Sequence, residues 1–500
     1  MLAVAGALVA LCVIAPVLVV FAEAHSAGWD DVRSVLMRAR SYRMLTNTVV
    51  LTGLVGVGAA VVGTASAWCL ERLRLPFGRA WTALLILPMA MPDFVVGFAW
   101  HSLWPRMSPL LAATAIMTLS TYPLVLLPVS AALRRADRSL EDVARGLGCG
   151  SLGVFTRVTF PAVRGAMIGG TLLSALAVIS EYGAFEAVRF HTLTTEIVNE
   201  FARDRPTAAA LSVPLVLIGF ALIFADAALP RRETGFAVQE RRACSVSRAG
   251  RAAAMAGCVV IVGAGVLLPI GVLGYWLHEA RHTTLPAAAT LSTATGTTCW
   301  YSAVCAVTVV LLAIPLAYLQ VRHPSRLSRT LYSSTFITRA VPGVIVAVAL
   351  VYLSVTYFFA AYNTSALVIA AYVIQFFPLG LVCVHATLGA LPRQYSEVAR
   401  SLGRGPGYVF SRVTLPLIGP GLLAGLCLVF VTAATELTTT LMLAPPGVMT
   451  LATQFWAFQS ESSYSAAAPY ALVIVAVAVV PGALLGLWFD RRPSSQGAGR

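Results

Sequence analysis

Apolar runs of about 20 residues recur along the whole of this 500-residue sequence, and about 20 residues is what a helix needs to cross a hydrocarbon layer about 30 Å thick. A segment inside lipid has no water to satisfy its backbone, so each run must fold as a helix that bonds to itself. Only 11% of residues are charged and 58% are hydrophobic, against about 25% charged in soluble domains. The sequence therefore predicts an all-α membrane protein. The runs centre near 4–22, 46–70, 80–104, 108–133, 164–187 and 207–229, then near 253–276, 298–319, 330–356, 364–388, 420–440 and 467–489, about 12 transmembrane helices. The first lacks a basic leader and is longer than a secretory h-region, so it reads as a retained helix.

The net charge of +14 would suggest nucleic acid in a soluble chain, but here it follows from the arginine of inner loops. With both termini inside, the inner segments hold 25 Arg and the outer ones nine. The discordant stretch is Arg33, Arg38, Arg40 and Arg43, which falls outside. All 35 basic residues are Arg. A chain without Lys lacks the phosphate-binding residue of a P-loop and has no Schiff-base chemistry. The nine cysteines show no C-x-x-C spacing, so neither a disulfide framework nor a zinc site is expected.

The sequence repeats itself at a shift of 255. Residues 141–170 and 396–425 match at thirteen of thirty positions without a gap, among them Ala144/Ala399, Arg145/Arg400, Gly148/Gly403 and Pro161/Pro416. The same shift pairs Pro123 with Pro378 and Glu181 with Glu436. Each half holds an even number of spans, so the two six-helix repeats run parallel. The expected divisions are 1–229 with an inner loop at 134–163, a linker at 230–251, 252–490 with an inner loop at 389–419, and a tail at 491–500. In each loop a short helix, Leu140 to Leu147 or Tyr395 to Leu402, ends at a glycine suited to the left-handed turn of a helix end, and the chain re-enters the membrane near Pro161 or Pro416. Topology alone accounts for basic loops. It does not account for a gapless match with fixed Gly and Pro positions in water-facing segments.

These loops resemble the EAA loop of permease subunits from binding-protein-dependent ABC importers, reading Asp142-Val143-Ala144 with Gly148 and Pro161, and Glu397-Val398-Ala399 with Gly403 and Pro416. The central Ala is Val in both copies, and the leading Glu is Asp in the first. The resemblance implies the type I ABC importer permease fold, with Glu141, Asp142, Ala144, Arg145, Gly148, Pro161, Glu397, Ala399, Arg400, Gly403 and Pro416 coupling the chain to two cytoplasmic ATPase subunits. ATP would be used by those subunits, with no cofactor and no catalytic residue on this chain. An extracytoplasmic binding protein would deliver the substrate to a multi-pass protein of a bacterial inner membrane, both termini cytoplasmic. The stretches 180–201 and 436–456 look like those of fused ferric iron permeases; thiamine, phosphonate and polyamine permeases share the architecture.

Ionisable residues inside a bundle are costly and usually line a path. The expected path residues are Glu181, Tyr182, Thr435 and Glu436, the two carboxylates facing one another across the repeat axis. The alternative is that each Glu bonds its own neighbours and specifies packing. Asp93 and Arg339 lie beside Pro92 and Pro342 without a repeat-matched charge, and Glu186, Glu196 and Glu200 read as a solvated outer face. An ATP-independent secondary transporter is the rival from another class. No His cluster, Ser/His/Asp arrangement or metal-ligand spacing supports a membrane enzyme.

Overall fold

The computed structural model describes residues 2–26, 29–73, 76–136, 138–201, 203–228, 248–280 and 285–490. Most of the expected linker 230–251 and all of the tail 491–500 lie outside the described residues. The described chain is helical, with nine helices long and apolar enough to cross a membrane, or twelve if each of three bent pairs is one span. The bends fall at prolines. Ala80–Ala90 meets Asp93–Leu103 at 88° across Pro92, Pro109–Thr121 meets Pro123–Arg135 at 40°, and Arg326–Arg339 meets Gly343–Tyr357 at 103° across Pro342. Proline has no N–H to donate and disfavours helix in the residue before it, so these three apolar runs break where hydropathy reads them as continuous.

Two compact units partition the chain: Ala27–Glu279, and Met1–Ser26 with Ala280–Arg500. This packing division differs from the sequence repeat in one respect. The first helix, Leu2–Ser26, packs with the second-half helices, and the first helix of the second repeat packs with the first-half ones.

In the unit Ala27–Glu279, the long helix Ala39–Arg72 packs against Pro123–Arg135 and Phe160–Ser180. The approach is close enough that a Cβ on Gly63 would lie 2.7 Å from the Tyr122 carbonyl, and one on Gly170 would lie 2.6 Å from that of Leu124. Lipid tails are as apolar as leucine, so close backbone contact at small residues stands in for the hydrophobic effect. The buried Tyr122 hydroxyl donates to the Leu85 carbonyl at 2.6 Å. Arg248–Val262 joins this core through Cys258 and Val262, and the Cys258 and Cys69 thiols contact one another. Oxidation by copper phenanthroline is therefore expected to link Cys69 to Cys258. After proteolytic cleavage within 230–247 the two fragments should stay joined on a non-reducing gel, and Cys69→Ser should release them.

In the other unit, Ala288–Arg322 packs against Ser365–Ala390 and Leu415–Ala434, and Val9 and Val13 of the first helix lie in the same core as Leu316, Phe377 and Leu381. Helix starts here carry reciprocal caps: Ser325 with Ser328, and Thr450 with Thr453, each pair satisfying two orphan backbone donors.

Candidate functional site: paired loop helices and capping carboxylates

The first inner loop holds a helix at Arg138–Gly146 and the second one at Gln394–Ser401. Both end in the same hydrogen-bond pattern. Gly148 N–H donates to the Arg145 carbonyl at 3.0 Å and Cys149 N–H to that of Ala144 at 3.0 Å; Gly403 donates to Arg400 at 2.9 Å and Arg404 to Ala399 at 3.2 Å. The glycines take φ of 82° and 75°. This is a Schellman end, whose left-handed residue favours glycine. The termination read from the sequence is present in both loops, with the turn at the expected residues.

The two helices also share a surface. Leu140, Val143 and Leu147 are each more than half exposed, and so are Tyr395, Val398 and Leu402, their partners at the 255-residue shift. Spacings of three and four put each trio on one helix face. Reading the sequence singles out charged, alanine, glycine and proline positions of these loops and misses the apolar stripe, although its spacing is visible. Ala144 is half-buried and Ala399 buried, each beside its stripe, while Asp142, Arg145, Glu397 and Arg400 are exposed.

After each helix, one π-helical turn precedes the next span: Phe155–Thr159 before Phe160–Ser180, and Phe410–Thr414 before Leu415–Ala434. Pro161 and Pro416 follow within the first turn of those spans, where a missing N–H costs little. A π turn carries one extra residue and often marks a functional site. Hydropathy leaves no trace of it; the shared Phe-x-Arg-Val-Thr is its only mark in the sequence.

Anchoring differs between the loops. Glu141 turns inward and pairs with Arg72 at 2.8 Å, the side chains 8% and 3% exposed. The Thr159 hydroxyl donates to the same Glu141 oxygen at 3.2 Å, and Arg145 reaches its other oxygen at 3.5 Å while holding Asp142 at 2.9 Å. Arg72 also donates to the Leu133 carbonyl at 3.3 Å. In the second repeat Arg322 ends the corresponding long helix and donates to the Leu391 carbonyl at 3.4 Å, but the position of Glu141 is Ser396. Among the described residues, no buried ion pair holds the second loop.

The intramembrane carboxylates occupy matched positions. Phe160–Ser180 stops at Glu181, whose Oε1 accepts from Ala184 N–H at 2.7 Å and so caps Gly183–Ala187. Leu415–Ala434 stops beside Glu436, whose Oε1 accepts from Thr439 N–H at 2.9 Å and caps Thr438–Leu443. Glu436 Oε2 also accepts from Gln375 at 3.2 Å, and the Thr439 hydroxyl donates to Gln375 Oε1 at 2.9 Å. A carboxylate at a helix start meets the positive end of the dipole. Tyr182 is buried, and the Thr435 hydroxyl is satisfied by the Val431 and Thr432 carbonyls at 3.1 Å each. Asp93 opens the helix that follows the Pro92 break.

The solvated-face reading of Glu196 is corrected by its burial. Its two oxygens take the Arg40 guanidinium as a fork, at 2.6 Å from Nε and 3.0 Å from Nη2, which also neutralises one arginine of the discordant stretch. Glu186, between spans, is half-buried; burial raises its carboxyl above the ordinary range and the nearby His191 charge opposes that. Among the described residues no three His, Cys, Asp or Glu side chains converge on one point.

Two helical repeats, each presenting a Schellman-ended helix with an exposed apolar stripe, define a duplicated membrane transport component. The chain belongs to the family of binding-protein-dependent transport system inner membrane components, whose pattern matches residues 59–235 and again 309–493. It is a transport subunit and not an enzyme. Over 491 residues it is 35% identical to the Fe(3+)-transport system permease protein FbpB 2 of Haemophilus influenzae, covering 96% of each chain. The sulfate transport system permease protein CysW of Synechocystis is 26% identical over 235 residues, 43% of this chain and 84% of that one. A probable molybdenum ABC transporter permease protein of Haloferax volcanii is 30% identical over 216 residues, 41% of this chain and 78% of its own.

Proposed function

We propose that the chain is the fused permease subunit of an ATP-driven importer of ferric iron, with both termini cytoplasmic, one ATPase subunit seated on each loop helix, and substrate delivered by an extracytoplasmic binding protein. The observation that carries the docking is the stripe Leu140, Val143, Leu147 and its copy Tyr395, Val398, Leu402, exposed in the same register. ATP is bound and hydrolysed by the partners, since this chain has no Lys to hold its phosphates. Its divisions are the repeats 1–229 and 252–490. Iron is favoured over thiamine, phosphonate or polyamine because the iron permease matches both halves end to end. The sulfate and molybdenum relatives each cover less than half of the chain. A secondary transporter would have no use for two matched docking helices.

Glu181, Tyr182, Thr435 and Glu436 border the path in this reading, the two capping carboxylates giving a cation a brief foothold. In proteoliposomes holding the full importer, Glu181→Gln with Glu436→Gln is expected to lower ferric iron uptake by about ten-fold or more while ATP hydrolysis continues. Gln keeps a cap oxygen and removes the charge. Unchanged uptake would reduce both residues to helix caps, and uptake of another substrate in place of iron would overturn the substrate assignment.

A further inference from the structure

A cavity of about 160 Å³ in the unit Ala27–Glu279 is lined by Trp100, His101, Trp104, Met107, Val188 and Arg189, among others. No acidic side chain lines it among the described residues. The Trp100 indole Nε1 is buried and has no hydrogen-bond acceptor. A buried donor without an acceptor is costly, and an acceptor supplied from outside the chain removes that cost.

Arg189 reaches the cavity from an unusual backbone. Gly183–Ala187 ends in a Schellman turn, with Arg189 N–H donating to the Glu186 carbonyl at 3.1 Å and Phe190 N–H to that of Phe185 at 2.8 Å. Arg189 fills the left-handed place at φ 56°, where a side chain is strained and glycine is not. The second repeat shows the alternative. Thr192 and Thr450 open matched helices, with Leu193 N–H donating to Thr48 and Leu451 N–H to Thr298, each at 2.9 Å. Three residues before each threonine stand Arg189 and Gly447, the latter at φ 85°. The turns differ, since Gly447 lies within the one that Val448 N–H closes on the Pro445 carbonyl at 3.1 Å, but at this left-handed place one repeat has a relaxed glycine and the other a strained arginine.

We propose that this cavity is a carboxylate-binding site, with the Arg189 guanidinium and the Trp100 indole N–H as its donors, presented by the first repeat alone. One fixed positive charge suits a monoanion, and the planar fork of Arg matches the two oxygens of a carboxylate. The rings of Trp100 and Trp104 flank the site, and Arg189 is exposed. In the orientation proposed above, the site opens at the outer face beside the loop 104–108. The carboxylate comes either from an acidic side chain of the extracytoplasmic binding protein or from a free carboxylic acid.

The test uses the full chain in nanodiscs, labelled with 5-fluorotryptophan, with Trp100→Phe to assign the Trp100 fluorine resonance. Sodium acetate is the probe and sodium chloride at equal ionic strength the control. The Trp100 resonance is expected to shift saturably with acetate alone. Arg189→Gly, which installs the residue of the other repeat and relieves strain, should weaken half-saturation by at least about ten-fold, and Arg189→Lys, which keeps the charge without the fork, by less. A Trp100 resonance that does not move, or moves equally in Arg189→Gly, overturns the proposal. Association of the binding protein then separates the sources. Competition by acetate and weakening by Arg189→Gly identify the partner's side chain, whereas unaffected association with the same acetate shift identifies a free acid. Both faces are accessible in nanodiscs, so this result does not depend on orientation or on whether the ATPases dock.

Discussion

Val143→Asp combined with Val398→Asp is expected to strip the ATPase subunits from the chain and abolish uptake, while each single change leaves one ATPase attached. Both valines sit at the centre of an exposed apolar trio, so a charge there meets water in the free chain and costs the fold little. In a docked complex the same charge is forced dry without a partner, at several kcal/mol, which corresponds to association weakened by at least about 100-fold per site. Co-purification from detergent measures the loss, and thermal unfolding of the chain alone serves as the control. If the double variant retained its ATPases, the stripes would be lipid or packing surfaces and the docking assignment would fall. Gly148→Ala and Gly403→Ala are expected to act in the same direction more weakly, by straining the turn that sets each stripe's direction.

Arg72→Leu carries the second large effect. It leaves the buried Glu141 carboxylate facing the place its partner held. Removing one member of a buried pair costs about 3–5 kcal/mol, whereas replacing both by apolar side chains is often close to neutral. Arg72→Leu should therefore lower the denaturant midpoint of the detergent-solubilised chain markedly, and Arg72→Leu with Glu141→Leu should regain most of it. The matched change Arg322→Leu should cost less, since Arg322 gives up a hydrogen bond to the Leu391 carbonyl and strands no buried carboxylate. Equal losses in the single and double variants would mean that the pair is not what holds the first loop.

The features legible in the sequence were those written locally or written twice. The left-handed glycines 148 and 403, the prolines 161 and 416 and the short helices before them came from a chemistry of turns that depends on few neighbours. The capping role of Glu181 and Glu436 had been set beside a path role; both carboxylates do bond the backbone three residues on. Contacts between residues distant in the chain were not legible. Arg72 and Glu141 are 69 residues apart and Arg40 and Glu196 are 156 apart, and neither pair recurs in the other half to reveal itself. The bends at Pro92 and Pro342 were hidden for another reason, because an average over a window of apolar residues is blind to direction. The membership of Leu2–Ser26 in the second-half core is a matter of tertiary packing, on which a repeat in sequence is silent.

The ion pair of Glu141 with Arg72 has no twin at Ser396, an asymmetry that a chain carrying both halves is free to hold. In an importer assembled from two copies of one shorter permease, any change to the anchoring is made on both sides at once. Here each half mutates alone. With one ATPase seated on each loop helix, as proposed above, the first loop would receive its stroke through a buried ion pair and the second without one. In that arrangement a substitution in one loop would retune one stroke and leave the other as it was.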